Sequence, residues 1–397
     1  MKQKVLIIYA STGSGHKTAA ESIFTVCENV SDVKIVDLLD YGIVKFNGNR
    51  AANSYTGIAA PLHDITWRFN FTGRINWGGN SIFGSLLFRK FKSFIEEFNP
   101  DVVICTHMMA ANVVAGARIK TGLSYKIVSV PTDYETEGLW PHQETDLFCV
   151  ATESMIDTLL SRNVPRHKIV LTGLPVNPAF LKNYNKRTTK QKFGLPQNKK
   201  IAVIMAGASE SRPYVNMRRA LDHVIKYFVD MDWMHFVFCT GNDSDYKKKL
   251  EAECKKYNAK NISVLDYTED MAQLMNASVI ALCKSGGMTV AECISSRLPM
   301  LLIGRGYAQE HINTRYLTGM GAAYHADTYK EIIELLCHIT STDTVYSALK
   351  VNIEHLRHKN AAYDIVKNSL KLKVSDDSDK PKSLLGIYIG KKPIHRR

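Results

Sequence analysis

A histidine stands at the end of a glycine-containing loop near the start of the chain. The apolar run from Val5 to Tyr9 predicts a buried strand, and the loop Ala10-Ser-Thr-Gly-Ser-Gly-His16 leads into a segment with apolar residues at helical spacing. His16 is therefore expected at a helix N-terminus, which disfavours a protonated imidazole. A neutral imidazole is a general base near pH 7, and we predict that role for His16. The alternative is a histidine that only caps the helix.

The same loop differs from a Walker phosphate loop by one inserted residue. His16 stands between Gly15 and Lys17, whereas that motif has glycine, lysine and serine or threonine in sequence. The insertion turns the lysine by about 100° around the helix, so we do not expect a P-loop nucleotidase. Gly13 and Gly15 instead predict that a ligand approaches the backbone closely.

A second glycine loop has the features of a diphosphate site. The segment Lys284-Ser-Gly-Gly-Met-Thr-Val-Ala-Glu292 follows an apolar run and opens a predicted helix, where free backbone N–H groups bind anions. Glu292 lies one turn into this helix, where its carboxylate is placed to accept hydrogen bonds from ribose hydroxyls. Gly207 and Ala208 end a neighbouring predicted strand, and the two loops together predict a nucleotide site.

Two further clusters place polar side chains beside predicted elements. Gln309, Glu310 and Asn313 follow the glycines at 304 and 306, and their amides and carboxylate suit the hydroxyls of a sugar. Ordinary helix capping is the alternative for these three residues. Asp133 follows a predicted strand, with Trp140 seven residues later, and is interpreted either as an anchor for an acceptor or as a turn residue.

The segment from Tyr41 to Ile95 is rich in aromatic and basic residues. It holds eleven aromatic residues, including Trp67 and Trp77, with seven Lys or Arg and one carboxylate, Asp64. Such segments associate with anionic membrane surfaces, with Trp at the level of the headgroups. A pair of core helices and a nucleic-acid patch are the alternatives. Because no nucleic-acid-binding motif is present, we expect no nucleic-acid partner.

The composition is that of an ordinary globular chain. Its 397 residues, 45% hydrophobic and 22% charged, suggest two or three domains and exclude a disordered, collagen-like or disulfide-stapled protein. The net charge of +13 predicts an anionic partner. The eight cysteines form no CxxC, so we interpret them as reduced thiols and predict no metal site. No signal peptide or transmembrane segment is expected, because the apolar runs are too short.

The elements that must position these residues alternate between strand and helix. Short apolar runs that end in polar or glycine loops are typical of a parallel sheet covered on both faces, with ligands at the carboxyl ends of its strands. Two such series, separated near residues 173–178, predict two domains that form a cleft. A helix is predicted over residues 345–372, followed by a mobile tail. The predicted strands are residues 5–9, 34–37, 102–105, 126–130, 147–151 and 169–171, and then 201–205, 236–240, 262–265, 279–283 and 300–303.

In this order and spacing, the motifs resemble the glycosyltransferase family 28 enzymes that glycosylate diacylglycerol. These are the monogalactosyldiacylglycerol synthases and the processive diacylglycerol glucosyltransferases. The peptidoglycan glycosyltransferase that modifies lipid I shares the architecture, so a polyprenyl-linked acceptor is an alternative. The resemblance covers about residues 3–370 and rests on residues 11–21, Thr132-Asp133 with Trp140, Gly173-Leu-Pro-Val-Asn-Pro178, Cys239-Thr-Gly-Asn242, residues 284–292 and Gln309-Glu310.

The resemblance implies an α/β protein of the GT-B fold, in which two Rossmann-like domains face a central cleft and a C-terminal helix crosses back to the first domain. It divides the chain into an acceptor- and membrane-binding domain (1–178), a linker (179–198), a UDP-sugar-binding domain (199–340), the crossover helix (341–374) and the tail (375–397).

The resemblance also implies an inverting transfer of a hexose from UDP-glucose or UDP-galactose to diacylglycerol, at the cytoplasmic face of the cell membrane. His16 would be the base or its close partner, and Asp133 would lie near the acceptor. No metal or other cofactor is implied, because helix dipoles and backbone N–H groups stabilise the departing UDP. On the acceptor or membrane side would lie Gly13, Gly15, Trp67, Trp77 and Trp140. The diphosphate would contact Gly207, Ala208, Ser285, Gly286, Gly287 and Thr289. The ribose would bind to Glu292, and the sugar would bind to Gln309, Glu310 and Asn313. The uracil would lie against the segment from Tyr267 to Met271.

Two positions depart from the family pattern. Thr136-Glu137-Gly138 stands where the family commonly has His-Pro, which concerns the acceptor side. Asp266 stands where a glycine is common before the base-binding segment. A chain that senses a nucleotide sugar or a lipid without turning it over is the alternative from a different class of protein.

Overall fold

The structure, a computed structural model, describes residues 2–11, 13–42, 75–77, 89–136, 140–142, 144–207, 212–306, 309–372 and 387–389. The chain divides into two compact units. Unit 1 comprises Met1–Asn177 and Asn360–Arg397, and unit 2 comprises Pro178–Lys359.

Strands and helices alternate along most of the chain. The strands are β1 (Lys4–Tyr9), β2 (Asp32–Asp37), β3 (Ile75–Trp77), β4 (Val102–Cys105), β5 (Lys126–Ser129), β6 (Leu147–Val150), β7 (Ile169–Leu171), β8 (Lys200–Met205), β9 (Met234–Cys239), β10 (Ile262–Leu265), β11 (Ile280–Cys283), β12 (Met300–Ile303), β13 (Ala323–Ala326) and β14 (Ile387–Ile389). The helices are α1 (Ser14–Cys27), α2 (Arg89–Phe98), α3 (Met108–Thr121), α4 (Glu153–Ser161), α5 (Lys186–Lys192), α6 (Arg212–Leu221), α7 (Val224–Phe228), α8 (Ser244–Lys256), α9 (Met271–Ala277), α10 (Gly287–Ser295), α11 (Gln309–Gly319), α12 (Tyr329–Ser341), α13 (Asp343–His355) and α14 (Ala361–Leu370).

Unit 1 is built on a parallel sheet of order β2-β1-β4-β5-β6-β7. Every residue of β4, β5 and β6 is buried, as expected for a sheet covered by helices on both faces. The chain runs outward in opposite directions from the pair β1 and β4, which is joined in register at Val5 and Val102. Ligands of open α/β sheets bind beyond the carboxyl ends of the strands at such a switch point. Here the loops after β1 and β4 meet.

Unit 2 has a parallel sheet of order β10-β9-β8-β11-β12-β13. Its switch point lies between β8 and β11, which pair at Ala202 and Ile280. The loops that leave these two strands are the two glycine loops singled out in the sequence.

The α/β class and the eleven predicted strands are confirmed, each to within two residues at either end. Strand β13 was not predicted, because its sequence Ala-Tyr-His-Ala contains no apolar run. In the predicted tail, β14 pairs antiparallel with β3, so these three residues belong to a strand rather than a mobile segment.

The single helix predicted over residues 345–372 is wrong, because two helices replace it. Helix α13 belongs to unit 2 and α14 to unit 1. Between them, the side chain of Arg357 donates from Nε to the backbone oxygen of Ser295 (3.0 Å). Ile365 and Val366 of α14 pack into the core of unit 1 with Ile23. The burial of this apolar pair therefore determines which unit the last helix joins.

The residues predicted as a linker, 179–198, instead form part of unit 2. Asn185 caps α5 by accepting hydrogen bonds from two backbone N–H groups. Lys192 forms an ion pair with Asp270 (2.7 Å), and the backbone N–H of Tyr184 donates to Asn276 (3.1 Å).

None of the helices in the described part of the chain is both long enough and apolar enough to cross a membrane.

Candidate active site

His16 is held at the switch point of unit 1 by a residue from the neighbouring strand loop. Its Nδ1 lies 2.9 Å from the backbone oxygen of Thr106, which directly follows β4. A carbonyl oxygen only accepts hydrogen bonds, so Nδ1 carries the proton and Nε2 keeps a lone pair. The Oγ1 atom of Thr132, at 3.1 Å, is a second acceptor for the Nδ1 proton. This tautomer leaves Nε2 as the basic atom.

A second histidine lies against the first. The rings of His16 and His107 have centroids 4.4 Å apart and meet edge to face at 79°. The backbone N–H of Met109 donates to His107 Nδ1 (3.0 Å), which places the proton of a neutral His107 on Nε2.

The environment favours the neutral form of both rings. Burial lowers the pKa of His16, opposed by its hydrogen bond to the Thr106 carbonyl. Burial, and secondly the charge of a protonated His16, lowers the pKa of His107 well below its ordinary value. Both imidazoles are therefore neutral at pH 7, the state that a general base requires.

Gly13 caps α1 without a structural need for glycine. Its φ of −178° is an extended conformation that any residue adopts, and a Cβ at this position would meet no atom of the described residues within 4 Å. Gly15 is half-buried within the first turn of the helix, and Asp133 is half-buried directly after Thr132.

Trp140, predicted on the acceptor or membrane side, is instead a core residue with 4% of its surface exposed. It lies in a turn whose described residues, 140–142 and 144–145, are all buried. Trp67 lies outside the described residues, as does the side chain of Trp77 in β3.

Sequence reasoning missed Thr106 and His107 as functional candidates. Both residues directly follow β4, and the rule that site residues sit at the carboxyl ends of strands was the available signal.

In unit 2, helix α10 begins without a side-chain cap. Gly286 is its N-cap, with φ −68° and ψ 133°, and no side-chain hydrogen bond from the described residues caps this end of the helix. Gly287 is buried and Thr289 is half-buried in that turn. The uncapped turn presents backbone donors and the positive end of the helix dipole, which suit an anion.

The loop before α10 is fastened to the first turns of α11. Ser285 donates from Oγ to the backbone oxygen of Glu310 (2.9 Å) and accepts from Thr314 Oγ1 (2.8 Å). Asn313 donates from Nδ2 to the backbone oxygen of Ser285 (2.9 Å). Asn313 is 1% exposed, and its amide holds this loop in position. Its contact with a sugar stays a prediction. The Ser285 hydroxyl is likewise engaged within the protein.

Glu310, at the start of α11, is a buried carboxylate with one engaged oxygen. Its Oε1 lies 2.5 Å from Nζ of Lys284, and its Oε2 is buried without a hydrogen-bond partner among the described residues. An unsatisfied buried oxygen costs about 1–3 kcal/mol, so Glu310 is suited to accept from a ligand. Gln309 is half-buried beside it.

Glu292 lies in the second turn of α10, half-buried. Its carboxyl group makes no hydrogen bond to any described residue, and burial raises its pKa to about 8. The side chain therefore holds a proton at neutral pH and has its full hydrogen-bonding capacity available.

Gly207 is required by the fold itself. Its φ is +75°, and a Cβ would lie 1.7 Å from the Tyr214 ring. A side chain at position 207 would thus collide with the Tyr214 ring, and Ala208 lies outside the described residues. Tyr267 is 65% exposed, and Met271 begins α9 half-buried.

No group of three or more His, Cys, Asp or Glu side chains suited to a metal ion lies within the described ranges.

Two family models match the chain. Residues 16–176 match "Monogalactosyldiacylglycerol (MGDG) synthase", and residues 203–369 match "Glycosyltransferase family 28 C-terminal domain". The boundary between the two matches falls near that between units 1 and 2.

Curated relatives resemble the chain over most of its length. A processive diacylglycerol beta-glucosyltransferase of Bacillus subtilis (strain 168) is 24% identical over 93% of this chain and 95% of its own. The enzyme of the same name from Bacillus cereus (strain B4264) is 27% identical over 81% of each chain.

Solved structures share the fold. UDP-GlcNAc 2-epimerase from Neisseria meningitidis, bound to UDP-GlcNAc, superposes with a TM-score of 0.64 and 17% identity, covering 93% of this chain and 100% of that one. MurG from Acinetobacter baumannii superposes with a TM-score of 0.59 and 14% identity, and the match covers 93% of this chain and 100% of that one.

Proposed function

We propose that this chain, which combines a domain of the monogalactosyldiacylglycerol synthase type with a glycosyltransferase family 28 C-terminal domain, transfers a hexose from a UDP-sugar to diacylglycerol. The resemblance inferred from the motifs is confirmed by both family models, which together span most of the sequence. The product is a membrane glycolipid. The names of the relatives favour glucose as the sugar and a β-linkage in the product.

The geometry of His16 carries the proposal. Its Nε2 takes the proton of the acceptor hydroxyl while that oxygen attacks the anomeric carbon of the sugar. The bond from this carbon to the diphosphate oxygen breaks in the same step, so UDP leaves with the electron pair and the configuration inverts. The imidazolium that forms keeps its Nδ1–H bond to the Thr106 carbonyl (2.9 Å), which strengthens as charge develops. Asp133, next to Thr132, is assigned to the acceptor side.

The donor is assigned to unit 2. The backbone N–H groups at the start of α10 bind the diphosphate. Glu292 binds the ribose hydroxyls, and Gln309 and Glu310 bind the sugar. We propose that no metal is needed, because the helix terminus stabilises the charge of the leaving group. Activity that persists in EDTA supports this assignment, and activity that requires added Mg²⁺ overturns it.

We place the enzyme at the cytoplasmic face of the cell membrane as a peripheral protein. The net charge of +13 and the aromatic, basic segment 41–95 support binding to anionic lipid. Diacylglycerol is confined to the bilayer, so the acceptor must be taken from its surface.

The test is UDP release in the presence of diacylglycerol vesicles, with either UDP-glucose or UDP-galactose. His16→Ala is expected to abolish turnover while UDP binding persists. The control is Lys17→Ala, which is expected to retain activity. Lys17 lies on the same helix as His16 and forms an exposed ion pair with Glu21 (3.6 Å). UDP-sugar binding without turnover on any lipid supports the sensor alternative, and turnover only on a polyprenyl-linked sugar supports the other acceptor.

A further inference from the structure

Lys284 occupies the space next to the N-terminus of α10. Its Nζ lies 2.6 Å from the position that a Cβ on Gly286 would take, so the missing side chain of Gly286 makes room for the ammonium group. The same Nζ lies 5.0 Å from the centre of the Tyr214 ring and 2.5 Å from Glu310 Oε1. The side chains of Lys284 and Glu310 are only 17% and 8% exposed.

This position is electrostatically unfavourable for a cation without a neighbouring anion. The N-terminus of a helix carries a partial positive charge, which repels an ammonium group. Glu310 compensates that charge, but only with Oε1, and its buried Oε2 has no hydrogen-bond partner among the described residues. The ion pair thus leaves one oxygen unsatisfied and holds a cation beside the proposed diphosphate site.

We infer that Lys284 is a further donor-binding residue, whose ammonium group moves from Glu310 to the β-phosphate of the UDP-sugar and stabilises the departing UDP. The inference rests on the proposed function. A diphosphate at the uncapped turn of α10 reaches an ammonium group that already lies against Gly286. The negative charge of the diphosphate then replaces the carboxylate of Glu310 as the partner of Lys284.

The exchange also prepares the sugar subsite. Once Lys284 pairs with phosphate, both carboxylate oxygens of Glu310 are available to accept hydrogen bonds from sugar hydroxyls. Binding of the diphosphate and of the sugar are therefore coupled through one ion pair. The coupling favours an intact UDP-sugar over UDP.

The experiment measures the affinities of UMP, UDP and UDP-glucose by calorimetry on the full chain. Lys284→Met is expected to weaken UDP binding by about 10- to 100-fold while changing UMP binding far less, because UMP lacks the β-phosphate. Glu310→Gln is expected to keep UDP affinity and to lose the preference for UDP-glucose. The control is Lys249→Met, which breaks an exposed ion pair with Asp222 (3.1 Å) in the same unit and leaves all three affinities unchanged.

Lys284→Met alone leaves the Glu310 carboxylate buried and unpaired, which threatens folding. The double variant Lys284→Met with Glu310→Gln removes both charges and serves as the folded reference, checked by thermal unfolding. An unchanged ratio of UDP to UMP affinity in the folded double variant overturns the inference and leaves the proposed function standing. A wild-type chain that binds no uridine nucleotide overturns both.

Discussion

Thr106 and His16 hold each other through two hydrogen bonds that run in opposite directions. The His16 ring donates from Nδ1 to the backbone oxygen of Thr106, and the Thr106 hydroxyl donates to the backbone oxygen of His16, both at 2.9 Å. The first bond selects the tautomer with a basic Nε2, and the second fixes the loop that carries the ring. Because one partner of each pair is a backbone atom, a change at position 106 removes only the second bond.

Thr106→Val is therefore expected to lower kcat without a change in UDP affinity. The tautomer is retained, but the ring loses part of its fixed position, and we expect a loss of about tenfold. Steady-state UDP release and calorimetry with UDP measure the two quantities. Thr106→Ser is expected to restore kcat. The control is Thr25→Val in α1, the helix that carries His16. This substitution removes an exposed hydroxyl, whose Oγ1 lies 3.0 Å from the backbone oxygen of Glu21. A Thr106→Val enzyme with wild-type kcat contradicts the positioning role.

The lowered pKa of His16 predicts the acidic limb of the rate profile. A base with a pKa below 6.5 stays unprotonated, and so active, at pH values where an ordinary histidine is already charged. The logarithm of kcat/KM is expected to fall toward low pH with a midpoint below 6.5 and a slope of one, since His107 has the still lower pKa. A midpoint at or above 6.5, or a slope of two, contradicts the assignment of His16 as the single base.

The strands were predictable because their signal is local. Runs such as Val102–Cys105 and Met300–Ile303 are fully apolar and end in polar or glycine loops. The order of the strands is not local. His16 and Thr106 are 90 residues apart, and only the pairing of β1 with β4 brings them together. The general base could thus be proposed from its loop, but its partner could not.

The donor loops illustrate a second limit. Residue type identifies a hydrogen-bonding group but not its partner, so Asn313 was assigned to a sugar although its amide holds Ser285. Gly207 is predicted to contact the diphosphate, and the sequence does not show that its missing side chain also makes room for the Tyr214 ring. The burial of Trp140 could not be predicted, because it depends on the tertiary surroundings of the turn. Each of these three features depends on packing that the local sequence does not specify.

Glu292→Gln is expected to stabilise the unliganded protein at high pH. The native carboxyl keeps its proton up to about pH 8, whereas the unfolded one loses it near 4.5. The unfolded state therefore binds fewer protons between these values, and stability falls as pH rises through this range. Removing the charge is expected to raise the free energy of unfolding at pH 8 and above relative to the wild type. Urea unfolding at several pH values measures this change, and an identical pH dependence in both proteins contradicts it.

The same variant distinguishes a ribose contact from a structural role. Above pH 8, where Glu292 is ionised, the wild type is expected to bind UDP about tenfold more tightly than 2′-deoxy-UDP, because the carboxylate accepts from the 2′-hydroxyl. Glu292→Gln is expected to reduce that ratio. Calorimetry with both nucleotides provides the measurement, and a ratio unaffected by the substitution excludes Glu292 from the ribose.

Asn313→Ala is expected to impair donor binding by releasing the loop that begins α10. Its amide holds the Ser285 backbone at 2.9 Å, and the loss of a buried hydrogen bond costs about 1–3 kcal/mol. We expect a lower thermal midpoint together with a raised KM for the UDP-sugar, while kcat changes less. Asn368→Ala is the control, because its amide bonds only one turn back within α14 (2.7 Å) in the other unit. An unchanged KM in the folded variant shows that the loop keeps its position without Asn313.

Membrane binding is expected to depend on charge and on the tryptophans of residues 41–95. Attraction between a chain of net charge +13 and anionic lipid is screened by salt, so binding to vesicles with anionic lipid should weaken as salt rises. Trp67→Ala and Trp77→Ala should each weaken it further, because interfacial indoles add apolar contact with the headgroup region. Vesicle co-sedimentation at two salt concentrations measures both effects. Trp233→Ala is the matched control, since Trp233 is 47% exposed but lies in unit 2 outside that segment. Binding that is absent or independent of salt, or that Trp233→Ala weakens equally, contradicts the role assigned to the segment.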